Sequence, residues 1–160
     1  MLKMLKLNNI SAIGIDTKTE KFNTCNENGA EFCVSPMEND LKNKITDFSK
    51  SNDLDVVIDF VSSKSSLELG CSILGKGGRL VTLGGSGEQF LANSADMLVK
   101  ELELIGSRYC TKQELKESLD LYARGLIEPL VSVKTDFDGA EGLHDKIEKG
   151  EITGRAGILI

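Results

Sequence analysis

Short apolar runs alternate with helical patterns along most of the chain, and this alternation limits the fold more than any other feature. The runs lie at residues 12–15, 32–34, 56–58, 79–83 and 102–105, and past Gly125 strand patterns fall at 127–133 and 156–160. Helical patterns fall at 1–7, 19–28, 41–50, 63–74 and 112–123. Leu41, Ile45 and Phe48 share one helix face, and Leu115, Leu119 and Tyr122 share another. Gly29, Gly75 and Gly125 stop three of the helices, and Pro36 closes the second run. Short apolar strands between helices predict a parallel sheet with helices on both faces. Trp is absent and aromatics make up only 5%, so the core must be built from Leu, Ile and Val.

In a doubly wound sheet, ligands lie beyond the carboxyl ends of the strands. Here those ends carry Asp16, Asp59-Phe60-Val61, Leu83-Gly84-Gly85 and Gly106-Ser107. Asp16 ends the run Ala12-Ile13-Gly14-Ile15, and a helical pattern follows it. A carboxylate there is placed to accept hydrogen bonds from a ribose diol, although a helix cap or a solvated loop residue has the same pattern. It would repel a 2′-phosphate and accept a free 2′-hydroxyl, which favours NAD over NADP. No Arg follows to welcome a phosphate, but Lys18 and Lys21 complicate the choice. Lys21 is within reach of the same ribose, while an isolated lysine is more often solvated. Gly84 and Gly85 allow close approach of a ligand to the backbone, and they equally suit a plain turn.

A dinucleotide site of this kind has a glycine fingerprint about 20 residues before its acid. Only 15 residues precede Asp16, and the first glycine among them is Gly14. The expectation is a chain that enters a nucleotide-binding fold partway, without its first strand. In the order 3-2-1-4-5-6 that strand is central. With neighbours about 4.8 Å apart, its loss leaves a gap of roughly 10 Å or forces the flanking strands to pair directly.

Other chemistries are disfavoured. The segment from Gly70 to Lys76 matches P-loop spacing, but Gly77 stands where Ser or Thr is required, and the match runs from helix to strand. Cys25, Cys33, Cys71 and Cys110 are scattered without a C-x-x-C pair and read as free thiols, not zinc ligands. His144, the only histidine, falls in an amphipathic pattern and reads as a helix-face residue. No catalytic residue and no metal ligand is assigned. A net charge of −6 disfavours nonspecific nucleic-acid binding. No apolar run nears the roughly 18 residues of a membrane span. The opening MLKMLKL is too short for a signal-peptide core, so a cytoplasmic location is expected.

The motif order is more specific than any motif alone. IGID is followed by TKTEKFNTCNENGAEFCVSP, DVVIDFVSS, GKGGRLVTLGG, ELELIGS and ITGRAGILI. This order resembles the C-terminal half of medium-chain, zinc-type alcohol dehydrogenases. The resemblance implies an α/β fold: an incomplete Rossmann-like doubly wound parallel sheet lacking its first strand. It implies a partial NAD-binding domain over residues 1–125 and a segment over 126–160 that returns to the catalytic domain. By the same resemblance Asp16 and Lys21 lie at the adenosine ribose, and Phe60 and Val61 beside the two riboses. Leu83, Ser107 and Tyr109 face the nicotinamide carboxamide through their backbone, and Arg155 lies near the cofactor.

The family's zinc ligands and proton-relay hydroxyl have no counterpart in this sequence. The chain is therefore expected to be inactive alone and to bind NAD weakly or not at all. In the complete enzyme the substrate is a small alcohol or carbonyl. The expected partners are further copies of the chain or a complementing N-terminal half. Two alternatives remain. One is a noncatalytic nucleotide-binding or oligomerisation module, with residues 88–105 supplying an edge strand. The other is a doubly wound methyltransferase, which the TGRAGILI ending disfavours.

Overall fold

The computed structural model, which describes residues 1–49 and 54–160, is α/β with every strand ladder parallel. In chain order come α1 (Leu2–Leu7), β1 (Gly14–Ile15), a 3-10 turn (Thr19–Lys21), α2 (Phe22–Glu27) and β2 (Cys33–Val34). Next are α3 (Leu41–Ser49), β3 (Leu54–Asp59), α4 (Lys64–Ile73), β4 (Leu74–Thr82), α5 (Ser94–Lys100) and β5 (Glu103–Gly106). The last are α6 (Lys112–Ala123), β6 (Val131–Thr135), α7 (Ala140–Glu148) and β7 (Arg155–Ile158). Two compact units result: Pro36–Cys110, and Met1–Ser35 together with Thr111–Ile160.

The strands form three separate sheets, β1-β2, β3-β4-β5 and β6-β7. β1 pairs with β2, and β3 is an edge strand beside β4. An edge strand is less covered than an interior one, and Val56 of β3, expected to be buried, is 47% exposed.

The unit Pro36–Cys110 holds the strongest packing. Leu67 of α4 meets Leu74 and Leu80 of β4, and Leu54, Val57, Cys71, Phe90 and Leu102 close around them. Burial of each such leucine stabilises by about 1.5–3 kcal/mol. Gly70 permits the close approach of α4 to β4, because a Cβ there would lie 2.9 Å from Leu80 Cδ1. Gly70 therefore stands mid-helix and Lys76 in a strand, which is not the geometry of a phosphate loop. Ser63 caps α4 by accepting from the Ser66 N–H.

Several boundaries differ from the sequence expectation. The 19–28 helix opens as a 3-10 turn before α2. The 41–50 helix is observed as Leu41–Ser49, and Lys50 lies outside the described residues. β4 starts at Leu74, immediately after α4, and its register slips between Leu54↔Leu74 and Val56↔Arg79. The glycines at 75, 77 and 78 fill that slip, with Gly77 at φ +72. Residues 94–100 are helical, with Asn93 accepting from the Ala95 and Asp96 N–H groups, so of the 88–105 stretch only residues 103–105, the start of β5, are strand. β6 begins at Val131 instead of residue 127. Pro129 has no N–H to give to a ladder, and the Val131 N–H turns back to the Pro129 carbonyl.

Candidate functional site

β1 and β2 run in parallel register, Gly14 to Cys33 and Ile15 to Val34. The Asp16 N–H extends the ladder to the Val34 carbonyl at 3.2 Å, so the carboxylate is fixed at the strand's carboxyl end. Its Oδ1 accepts from the Lys18 N–H at 2.9 Å, an Asx turn that orients the group. Its Oδ2 stands 3.9 Å from Lys21 Nζ. That separation exceeds a direct hydrogen bond, so the oxygen retains acceptor capacity toward a ligand hydroxyl. Lys18 turns away and donates its ammonium to the Gly150 carbonyl at 2.5 Å. The fold thus separates the two lysines that the sequence left ambiguous: Lys21 faces Asp16, and Lys18 ties the strand tip to the C-terminal part of the same unit.

Arg155 lies in that unit too, at the first position of β7, where its backbone N–H donates to the Leu130 carbonyl at 2.7 Å. No hydrogen bond or ion pair joins its guanidinium to Asp16 or Lys21 among the described residues. The fold gives Arg155 a place on a different sheet from the Asp16–Lys21 pair.

In the other unit, β3, β4 and β5 end in step, with Asp59 beside Thr82 and Thr82 beside Gly106. Asp59 is buried and organises the turn that follows it. Its Oδ1 accepts from the N–H groups of Val61 at 2.8 Å and Ser62 at 2.9 Å, and its Oδ2 accepts from Ser66 Oγ at 2.7 Å. Ser62 adopts φ +56, its hydroxyl meets that of Thr82, and Ser86 Oγ donates to its carbonyl. This lattice holds Phe60 and Val61 outward, both more than half exposed.

The Leu83 N–H donates to the Asp59 carbonyl at 2.8 Å, and the Ser107 N–H to the Thr82 carbonyl at 3.0 Å. Phe60, Val61, Leu83, Gly84, Gly85 and Ser107 are therefore gathered on one sheet edge. The two glycines there differ. A Cβ on Gly84 would lie 2.5 Å from the Val61 carbonyl carbon and oxygen, so packing alone requires a glycine. A Cβ on Gly85 would meet nothing within 4 Å, which leaves the backbone open to approach. Tyr109 lies beyond this edge at φ +61, with Arg108 stacked 4.6 Å over its ring and bonded to its hydroxyl.

Residues 1–124 match the family model described as zinc-binding dehydrogenase. The chain belongs to that family. Among curated relatives, this zinc-binding dehydrogenase chain is 28% identical over 145 residues to an NAD-dependent alcohol dehydrogenase of Sulfolobus acidocaldarius, with 89% of the chain and 41% of the relative covered. It is 26% identical over 157 residues to a D-arabinose 1-dehydrogenase (NADP(+)) of Saccharolobus solfataricus, covering 97% of the chain and 43% of the relative. The crystal structure of the alcohol dehydrogenase from Aeropyrum pernix superposes with a TM-score of 0.86 at 26% identity, over 97% of this chain and 44% of that one. The chain thus spans less than half the length of these relatives, and its fold is the Rossmann-like α/β arrangement of dehydrogenases.

The donor set can be tested against the groups this family implies. No cluster of three or more His, Cys, Asp or Glu side chains is arranged for a metal ion among the described residues. These residues therefore do not fit a zinc site, and no step is assigned to one. In the unit that holds β1, Asp16 offers a fixed carboxylate oxygen; in the unit Pro36–Cys110, Gly85 offers an open backbone and Phe60, Val61 and Leu83 an exposed apolar edge. Among the described residues, no helix is long and apolar enough to cross a membrane.

The sequence reading did not assign Asp59 a site role. Its signal was present: an acid at a strand end followed by Ser62 and Ser63, a pattern of side chains that satisfy turn and helix-start N–H groups.

Proposed function

We propose that the chain is the coenzyme-binding portion of an NAD-dependent, zinc-type alcohol dehydrogenase. In the complete enzyme a hydride passes between an alcohol or carbonyl substrate and the bound nicotinamide. The observation that carries the reading is the Asp16 carboxylate, with Oδ1 pinned by the Lys18 N–H and Oδ2 turned toward Lys21. Asp16 accepts from the adenosine ribose hydroxyls, and Lys21 donates beside it. Phe60 and Val61 flank the riboses, while the backbones of Leu83, Gly84, Gly85, Ser107 and Tyr109 face the carboxamide end. Arg155 acts near the cofactor as part of the segment 126–160, which belongs with the catalytic domain, and residues 1–125 form the nucleotide domain. The likeness to an NAD-dependent alcohol dehydrogenase supports this reading, and Asp16 argues against the 2′-phosphate that NADP carries. The protein works in the cytoplasm as a homo-oligomer or beside a complementing N-terminal half.

ADP-ribose titrated into the isotope-labelled chain and followed by NMR tests this reading. Binding is expected at about millimolar affinity, about 4 kcal/mol, with shifts at residues 16–21 that Asp16→Ala abolishes. The 2′-phosphorylated analogue is expected to bind at least about tenfold more weakly, or about 1.4 kcal/mol. Shifts confined to other residues, or tighter binding of the phosphorylated analogue, sinks it.

One observation favours a second reading, a noncatalytic oligomerisation module: Leu98 and Val99 of α5 are 79% and 71% exposed. A stable dimer by sedimentation, with no NAD-linked activity when an N-terminal half is supplied, would support it.

A further inference from the structure

Gly14 and Cys33 are register partners across β1 and β2, so they occupy the same face of their sheet. A Cβ on Gly14 would lie 2.6 Å from Cys33 Sγ and 3.6 Å from both Cβ and Sγ of Cys25. The two sulfurs therefore share the space that the missing side chain leaves. Cys25 stands close enough to act on the Cys33 thiol and push it up. Their access differs. Cys25, on α2, lines an open groove of about 740 Å³ with Met1, Met4, Thr24, Tyr122 and Leu130, whereas Cys33 is not on its wall.

We propose that Cys25 and Cys33 form a dithiol site that a small-molecule disulfide oxidises to an intramolecular Cys25–Cys33 bond, with Cys25 attacking and Cys33 resolving. Cys25 gives its proton to water, and its thiolate attacks one sulfur of the oxidant. The oxidant's S–S bond breaks, and the first thiolate leaves and takes up a proton. Cys33 then gives its proton to water and attacks the Cys25 sulfur, displacing the second thiolate, which is protonated in turn. Two protein thiols are oxidised, and one disulfide is reduced to two small thiols.

The surroundings support this order. Burial first, then the hydrogen bond and charge of Cys25, push the Cys33 thiol up to about 12. The contributions from Cys25 end once that sulfur is held in a mixed disulfide, which eases ionisation of Cys33, while burial continues to hold its thiol up. Both sulfurs lie within 3.6 Å of the point a Gly14 Cβ would occupy, so a disulfide needs only a local approach of the two side chains. The site needs no bound coenzyme, so the inference stands apart from the proposed function.

Trypsin cuts after Lys21 and Lys42 and nowhere between them, so one peptide carries both cysteines. The full chain is treated with glutathione disulfide, quenched with an alkylating agent, digested and weighed without reduction. The expected result is a peptide lighter by two hydrogens that has escaped alkylation, with glutathione on exposed Cys110 showing that the oxidant was active. Cys33→Ser is expected to trap glutathione on Cys25. Cys25→Ser is expected to leave Cys33 at least about tenfold slower to react. Alkylated Cys25 and Cys33 beside a modified Cys110 would overturn the site. Equal trapping rates in the two variants would overturn the order of attack. The wild-type mapping decides the first question even if a variant fails to fold.

Discussion

The two units stabilise themselves by different means. In Pro36–Cys110, a three-stranded sheet and α4 enclose a leucine cluster, with Leu74 and Leu80 at 1% and 2% exposure. In the other unit, two separate two-stranded sheets carry helices α1, α2 and α6, none of which buries a residue. Leu115, Leu119 and Tyr122 of α6, spaced for one helix face, are all more than half exposed, and the latter two line the open groove. A two-stranded sheet is marginal without a covered face. The comparison teaches that one period of apolar residues can mark either a closed core or a face that still lacks its cover.

The largest expected effect follows from that contrast. Leu80→Ala removes a side chain from the closed cluster and should cost about 2–5 kcal/mol in urea unfolding. Leu119→Ala, on the open face, should fall within about 0.5 kcal/mol of wild type. Equal losses would break the comparison, because they would mean that α6 is packed as tightly as β4.

The next contrast sharpens the reading of the sheet edge within Pro36–Cys110. Gly84→Ala drives a methyl group into the Val61 backbone, which cannot swing aside as a flexible side chain can. It should cost about 1–3 kcal/mol by thermal melting. Gly85→Ala meets open space and should change stability by less than about 0.5 kcal/mol. If Gly85→Ala were equally costly, Gly85 would be a packing residue and its place in the proposed coenzyme edge would lose its physical basis.

The same contrast explains what the sequence could disclose. The β-α alternation was legible because short buried strands and capped helices each leave a periodic trace, and Lys112–Ala123 was read to the residue from the spacing of Leu115, Leu119 and Tyr122 and from Gly125 past its end. Residues 94–100 were missed as a helix: SADMLVK is short, and its apolar residues face outward, so no buried stripe announces it. β6 was set too early because Ile127 and Leu130 look strand-like, while Pro129 vetoes the ladder. The place of Asp16 at the carboxyl end of β1 was legible from the sequence pattern alone. The division of labour between Lys18 and Lys21 was not, because it depends on Gly150, far along the chain. The separate roles of Gly84 and Gly85 depend on which backbone passes beside each, a tertiary fact with no local signature.

The smallest expected effect compares two exposed glutamates, one in each unit. Glu114 of α6 is held below the usual carboxylate range first by the Thr111 backbone N–H and then by the Thr111 hydroxyl. Glu103 of β5 is held down first by its hydrogen bond from Arg79 and then by the Arg79 charge. A carboxylate whose folded value is lowered stabilises above its unfolded value, about 4.3, and that contribution disappears as pH falls through the folded value. Both contributions should therefore fade on acidification below about pH 4. Their salt responses should part. At about 1 M salt the screening length is near 3 Å, so the Arg79 charge acts less on Glu103, and its NMR titration midpoint should rise toward the ordinary value. Glu114 takes its main support from a backbone dipole one turn away, and its midpoint should move less. Thr111→Ala removes the hydroxyl half of the capping box and should cost about 1 kcal/mol. It should leave part of the Glu114 depression in place, because the backbone N–H remains. A midpoint for Glu114 as salt-sensitive as that of Glu103 would show that the cap acts through charge, not through the hydrogen bond that closes the helix.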